Sequence, residues 1–324
     1  MEQFDKMLKA MAGKEECMVP DGFDGRVQAA LDKLPSKTKK RRLGAVKTAL
    51  AAAAVCVLLA GTAFAASPGL RELLAEALGG FAPYAHGQEG EAYVINGMEF
   101  RVVSALADDF TVRAYVEARD LEGDRLSGEM SATGMVKVPR KKTGEGVSTF
   151  SMGAHCAGYD EETKTALLCV ASWGQVPKDD LTGSQVLLFT LGNGPWAAAQ
   201  FWSNEEDAAI PVEVEPVAAM TADTELAEAF HAEEVRLSPI GLSVIFKGGE
   251  YWPAFAGVDL RVQMTDGTID APWKGGQGSF GTYGTETERK VLVWNFQEPV
   301  ELEQVDGIYV GENYFPVKGL FSSQ

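Results

Sequence analysis

Apolar residues change their spacing several times along this chain, and each change marks a different kind of element. Residues 2–12 place Phe4, Met7, Leu8 and Met11 at i, i+3, i+4 and i+7, one stripe of a short helix. Pro20 and Gly22 interrupt it. Phe23, Val27, Ala30, Leu31 and Leu34 then resume the helical period, with Asp21 as a cap and Pro35 as a stop. Two helices of about three turns cannot bury a core of their own. Their stripes call for a partner, either another protein's groove or a membrane surface, and otherwise describe a tether that orders on assembly.

From Thr48 to Leu70 the period vanishes: 23 consecutive positions carry no charge and most are Ala, Val or Leu. About 20 residues of helix cross a bilayer core. Alanine contributes little, so Val46, Leu50, Val55, Val57, Leu58, Leu59 and Phe64 supply roughly −2 to −4 kcal/mol on an insertion scale. Lys37, Lys39, Lys40, Arg41, Arg42 and Lys47 crowd the N-terminal flank, which by the positive-inside rule leaves residues 1–42 in the cytoplasm and the remainder outside. Ala63-Phe64-Ala65 has the form of a signal-peptide cleavage site, but the long polar stretch ahead of it does not fit a signal peptide, which opens within 15–30 residues. The segment reads as a membrane anchor.

Beyond it, Ser67-Pro68 opens a short helix with Leu70, Leu73, Leu74, Ala77 and Leu78 on one face, and Gly79-Gly80 closes it. That face predicts packing under the following domain. From Glu91 the period becomes two. Glu91–Ile95 and Met98–Val103 flank Asn96-Gly97, a type I′ hairpin signal. Thr111–Arg119, Val147–Ala157, Thr165–Trp173, Gln185–Leu191 and Ala198–Ser203 continue the strand pattern. After an acidic stretch without clear period, Glu213–Glu225, come Phe230–Leu237, Leu242–Phe246, Val258–Met264, Val291–Asn295, Gly307–Val310 and Tyr314–Val317. Short strands separated by turn signals predict antiparallel sandwiches, not βαβ units. The predicted fold is mainly β: a helical segment over 1–42, a transmembrane helix over 45–66, a juxtamembrane helix and linker over 67–88, a first β domain over 89–220, and a second, immunoglobulin-like β-sandwich over 226–324.

A hairpin turning at Glu162-Thr163 pairs residues whose numbers sum to 325, which sets Cys156 opposite Cys169. Two readings stand: a cross-strand disulfide, which would persist outside the membrane, or two buried free thiols. Neither implies catalysis.

Charge narrows the function. The chain is −17 overall although its first 47 residues are net positive, and so acidic a surface argues against nucleic acid as a partner. Gly276, Gly278 and Gly281 match a dinucleotide fingerprint by letter, but strand-like residues follow where a helix is needed. His86, His155 and His231 sit in no nucleophile or zinc motif, and Cys17 has no second ligand at zinc spacing. Glu205-Glu206-Asp207 reads as a solvated turn. Trp196, Trp202, Tyr251, Trp252 and Trp273 read as core, with a glycan-binding surface as the rival. No enzyme, metal or cofactor is expected.

The phrases "VPDGFDGRVQAALDKLP", "GEAYVINGMEFRVVSALADDFTVRAYVEARD", "EEVRLSPIGLSVIF", "VDLRVQMTDGT" and "FQEPVELEQVDGIYVGENYFPVKG", with the basic stop and Ala-rich span, resemble membrane-bound anti-sigma-factor-like proteins of the domain-of-unknown-function 4179 family. The resemblance implies a single-pass regulator of the cell membrane. Its cytoplasmic helices would hold an extracytoplasmic-function sigma factor and its outer domains would sense an envelope cue or an unknown extracellular ligand. The His/Cys zinc motif of many anti-sigma domains is absent, so sigma binding would rest on Phe4, Met7, Leu8, Met11, Phe23, Val27, Leu31 and Leu34. The competing reading is an anchored cell-surface binding module with no cytoplasmic partner.

Overall fold

The computed structural model describes residues 67–139, 151–174, 181–193, 209–222, 224–246, 260–270, 279–283, 289–316 and 321–323. The stripes between Phe4 and Leu34, the apolar stretch ending at Ala66, the strand read over Ala198–Ser203 and the five aromatic residues from Trp196 to Trp273 lie outside them. No described helix is long and apolar enough to cross a membrane.

Helix α1, Pro68–Leu78, starts where Ser67 and Pro68 predict it. The Ser67 hydroxyl accepts the Leu70 amide at 3.2 Å, and Gly79 ends the helix at a φ of +51°. Leu70, Leu74 and Leu78 are buried, each contributing about 1.5–3 kcal/mol of apolar burial. A short 3₁₀ segment, Gly79–Tyr84, follows and buries Phe81 and Ala82.

The first β unit opens with β1 (His86–Gly87), β2 (Tyr93–Ile95), β3 (Met98–Ala107) and β4 (Thr111–Asp120). It continues through β5 (Met130–Lys137), β6 (Ser151–Asp160), β7 (Thr165–Trp173), β8 (Gln185–Asn193) and β9 (Ala209–Pro211). The predicted hairpin is present: Asn96 and Gly97 both take positive φ, +51° and +72°, as a type I′ turn demands, and Ile95 pairs with Met98. Behind it, Arg125 donates to Asp120 from Nε and Nη2 and to the carbonyls of Asn96 and Gly97, holding the hairpin to the loop after β4. The Arg125 hydrogen bond holds the Asp120 carboxyl well below the usual carboxylate range. That stabilisation is complete above about pH 4, the ordinary value, and is lost as pH falls toward the depressed one. Arg125→Ala is expected to cost about 1 kcal/mol, the upper end for a partly exposed pair, and to speed hydrogen exchange at the Leu121 amide, which bonds Gly97.

The sandwich expected for this unit gives way to one nine-stranded antiparallel sheet, ordered β1-β3-β4-β7-β6-β5-β8-β9, with β2 alongside β3. Irregular pairing at Val102/Ser104, Thr133/Gly134 and Cys156/Gly158 bends it. The bent sheet returns toward its own start. The Gln88 carboxamide accepts the Glu213 amide at 3.2 Å and donates to the Glu213 carbonyl. Val217 donates to Ala107, and Pro216 makes a parallel bridge with Ala107. The inner face is a cluster built on Met98, Phe100, Val112, Val116, Leu168, Val186 and Leu188.

Helix α2 (Thr224–Ala229) leads into the second unit. Phe230, expected in a strand, ends this helix because Leu226 and Phe230 follow the helical period and are buried together. A six-stranded sheet, β15-β16-β12-β11-β10-β19, is built from β10 (Met220–Ala222), β11 (Glu234–Ser238), β12 (Gly241–Phe246), β15 (Ser279–Tyr283), β16 (Arg289–Asn295) and β19 (Phe321–Ser323). A four-stranded sheet, β14-β13-β17-β18, is built from β13 (Leu260–Met264), β14 (Ile269–Asp270), β17 (Val305–Val310) and β18 (Asn313–Pro316). Val235, Leu237, Leu242, Val244 and Trp294 of the first share one apolar cluster with Leu260, Val262, Val305 and Ile308 of the second. Among the described strands every ladder is antiparallel.

Candidate functional site

Among the described residues, those singled out from sequence do not converge on one site. Phe4, Met7, Leu8, Met11, Phe23, Val27, Leu31 and Leu34 lie outside the described residues. Asp160 pairs with Thr165 and Gly158 with Leu167, both summing to 325 as expected, but a bulge at Ala157 then shifts the ladder by one. Cys156 therefore opposes Leu168 and Cys169 opposes His155. The two cysteines join different apolar clusters, Cys156 with the inner face of the first sheet and Cys169 with its outer face, and both are free thiols.

Cys169, His155, Tyr115 and Arg113 lie close together on β7, β6 and β4, and the grouping invites a nucleophile reading. Its electrostatics oppose one. Burial pushes the Cys169 thiol up to about 11, the opposite of the lowered value that makes a thiolate. Burial, then the nearby Arg113 charge, hold His155 below its ordinary value. Arg113 has structural ties instead: its guanidinium stacks 5.3 Å from the Phe81 ring centroid and donates to the Phe296 carbonyl at 3.4 Å. His86 pairs with Glu215 at the surface, away from this group in the topology. Ser279–Tyr283, the second half of the glycine-rich match, is a strand paired with β16, so the phosphate-binding helix N-terminus is missing there. No group of three or more His, Cys, Asp or Glu side chains among the described residues could hold a metal ion.

Two features remain that can do something. The first is the seam where the ends of the curled sheet meet, which forms a half-open cleft of about 850 Å³. Gln88, Glu89 and Tyr93 line one side, and Leu181, Ser184 and Glu213 the other. Such a volume suits a small ligand, and pockets between structural elements with a few polar groups are the usual recognition sites.

The second is a contact between the β units made by the turn from β3 into β4, beside the apolar cluster that both units share. Phe110 is buried against Ile245, Val291 and Val293 on the outer face of the six-stranded sheet, with Arg236 5.7 Å above its ring. Asp109 forms an ion pair with Arg236 at 2.7 Å, and Arg236 also binds Glu234. Thr111 donates from Oγ1 to Asn295. Asp108 is enclosed between the units: one carboxyl oxygen accepts the amides of Phe110 and Thr111, and the other lies 2.7 Å from Ser238 Oγ. Burial pushes the Asp108 carboxyl up from its ordinary value. The Ser238 and backbone hydrogen bonds pull the other way, and the neighbouring Asp109 charge adds to the rise.

Sequence reading missed both features. Asp108-Asp109-Phe110 reads as a turn between two strands, and no local pattern says that a turn will be buried by a partner unit 130 residues away. Gln88 and Glu213 are likewise unremarkable polar residues until the sheet curls.

No family model matches the chain and no curated protein matches it, so it is assigned to no family, the domain-of-unknown-function 4179 family included. Among solved structures it is similar to a conserved domain protein from Bacillus anthracis, at 12% identity over 69% of this chain and 76% of that one, with a TM-score of 0.38. At that score the likeness carries no argument about function.

Proposed function

We propose that the chain is a single-pass membrane regulatory protein, anti-sigma-factor-like, in which extracytoplasmic β units receive an envelope cue and a cytoplasmic segment holds a sigma factor. The observation that carries this reading is the charge and hydropathy profile: a basic block, then 23 uncharged positions, then an acidic β-rich region. Phe4, Met7, Leu8 and Met11, with Phe23, Val27, Leu31 and Leu34, would grip the partner through two apolar stripes. On this reading the second β unit is an immunoglobulin-like β-sandwich, and no catalytic step is required of either unit.

The test uses the full-length protein in its own membranes. Protease added to intact cells is expected to remove the β units and spare the N-terminal segment. A co-expressed extracytoplasmic-function sigma factor is expected to co-purify with the protein and to be lost with Leu8→Asp and Leu31→Asp together. A protected C-terminal half would overturn the topology, and co-purification unaffected by the double change would overturn the role of the stripes. The seam cleft favours a second reading, an anchored surface module that binds a small ligand and has no cytoplasmic partner; this predicts ligand binding with no sigma factor retained.

A further inference from the structure

The two ends of the first sheet meet unevenly. At one end of the seam backbone joins them, where Val217 donates to the Ala107 carbonyl and Pro216 bridges Ala107. Further along, side chains span it: the Gln88 carboxamide reaches the Glu213 backbone, and His86 pairs with Glu215. Beyond Gln88 the half-open cleft of about 850 Å³ lies between the chain entering β2 and the chain leaving β9.

The lining of the cleft has three parts. Its floor is apolar: Tyr93, Leu181 and Val214 line it and pack on the inner core of the sheet. Its rim is acidic: Glu89, Glu91 and Glu213 are all exposed, and none of the described lining residues is Lys, Arg or His. The third part is Gln88, only 7% exposed. Its carboxamide donates to the Glu213 carbonyl at 2.5 Å and accepts the Glu213 amide at 3.2 Å. That bridge uses one of the group's two N–H donors and one of its two lone pairs. A nearly buried polar group beside the cleft therefore keeps one of each, with no other partner among the described residues.

Each part selects for one feature of a ligand. A rim of one charge sign around a cleft concentrates cations and repels anions. The floor rewards an apolar body, and the face of the Tyr93 ring attracts a cation placed over it. A bare metal ion gains nothing from such a floor, and no group of three or more His, Cys, Asp or Glu among the described residues is arranged to hold one. Taking the seam as a ligand site, as the surface-module reading does, we infer that the cleft receives an amphiphilic organic cation, an ammonium group on an aromatic or aliphatic body. The body rests on Tyr93, Leu181 and Val214, and the charge lies among Glu89, Glu91 and Glu213.

Tryptamine, tryptophol and indole-3-propionate share a ring system and differ in charge, while spermidine carries charge with no such body. Each is titrated against the full-length protein in an uncharged detergent and followed by NMR at the Gln88 side-chain amide and the Glu213 backbone amide. Tryptamine is expected to shift both signals saturably. Tryptophol and spermidine should bind about tenfold more weakly or worse, and indole-3-propionate not at all. Glu91→Gln together with Glu213→Gln should weaken tryptamine by about tenfold. Glu162→Gln together with Glu298→Gln, the same change in net charge at exposed positions elsewhere, should leave it unchanged. Tryptophol binding as tightly as tryptamine would overturn the cationic ligand and leave a ligand site. Spermidine binding as tightly, or an equal loss in both double variants, would reduce the effect to general attraction by an acidic protein and overturn the inference. No saturable shift with any compound would overturn the ligand site as well, even if a variant did not fold. Loss of the sigma factor in co-purification would touch neither.

Discussion

Phe110→Ala will free the turn between β3 and β4 from the six-stranded sheet, while the apolar cluster that both β units share keeps them together. The ring is 5% exposed and fills a small cluster with Ile245, Val291 and Val293, separate from the two large cores. Removing a buried phenylalanine costs about 3–5 kcal/mol in lost transfer and cavity energy. Here the loss falls on a contact between units, and it also takes away the aromatic face beneath Arg236, worth about 0.5–1 kcal/mol where solvent reaches it. The expected signature is faster exchange at Ile240 and Gly241 with unchanged protection in the middle of β4 and β7. A variant that unfolds as a whole at lower denaturant, with no local loosening first, would show that the turn is part of a core and not a separable contact.

Leu74→Asp will detach helix α1 from the sheet. Leu74 lies in the middle of the buried stripe Leu70, Leu74 and Leu78. The change removes a leucine, about 2–5 kcal/mol, and asks a carboxylate to sit in an apolar contact with no partner, which the helix avoids by leaving. The surface below is shaped to receive it. Gly158 lies beneath Leu73, whose Cδ2 would be 2.6 Å from a β-carbon at that position, so any larger residue there would have to push the Leu73 side chain aside. Exchange across residues 70–78 should rise to that of an unstructured peptide, while the hairpin at Asn96-Gly97 keeps its protection. On the function proposed above, the expected phenotype is a signal that no longer follows the cue.

The distance between sequence and structure is uneven, and each gap has a physical source. Thr165–Trp173 was readable to the residue, because Ala166, Leu168 and Val170 face one side while charges and turn residues bound the run. The Asn96-Gly97 turn was readable because only a few residue types tolerate two successive positive φ values. Strand β5, Met130–Lys137, was missed although Met130, Ala132 and Val136 are buried in alternation; Ser131, Thr133 and Gly134 between them dilute the apolar signal. The bulge at Ala157 has no local mark, and by shifting the ladder one residue it reversed the faces of everything on its far side, Cys156 included. Sheet membership was equally hidden: period two identifies strands, but whether they stack as two layers or curl as one depends on bulges and on long-range pairs such as Gln88 with Glu213. The seam and the contact between the units, both created by tertiary closure, were for that reason invisible.

The apolar cluster that holds helix α1 does not stop at the first sheet. It runs from Leu70 through Leu106, Tyr115 and Leu167 into Phe230, Leu242, Trp294 and Ile308. A ribosome delivers these residues in order, so the first unit emerges with part of its outward face still wet and stays that way until the last strands arrive. During that interval the nascent chain offers a greasy surface to any chaperone it meets, and a truncation late in the polypeptide would leave the early half sticky for good.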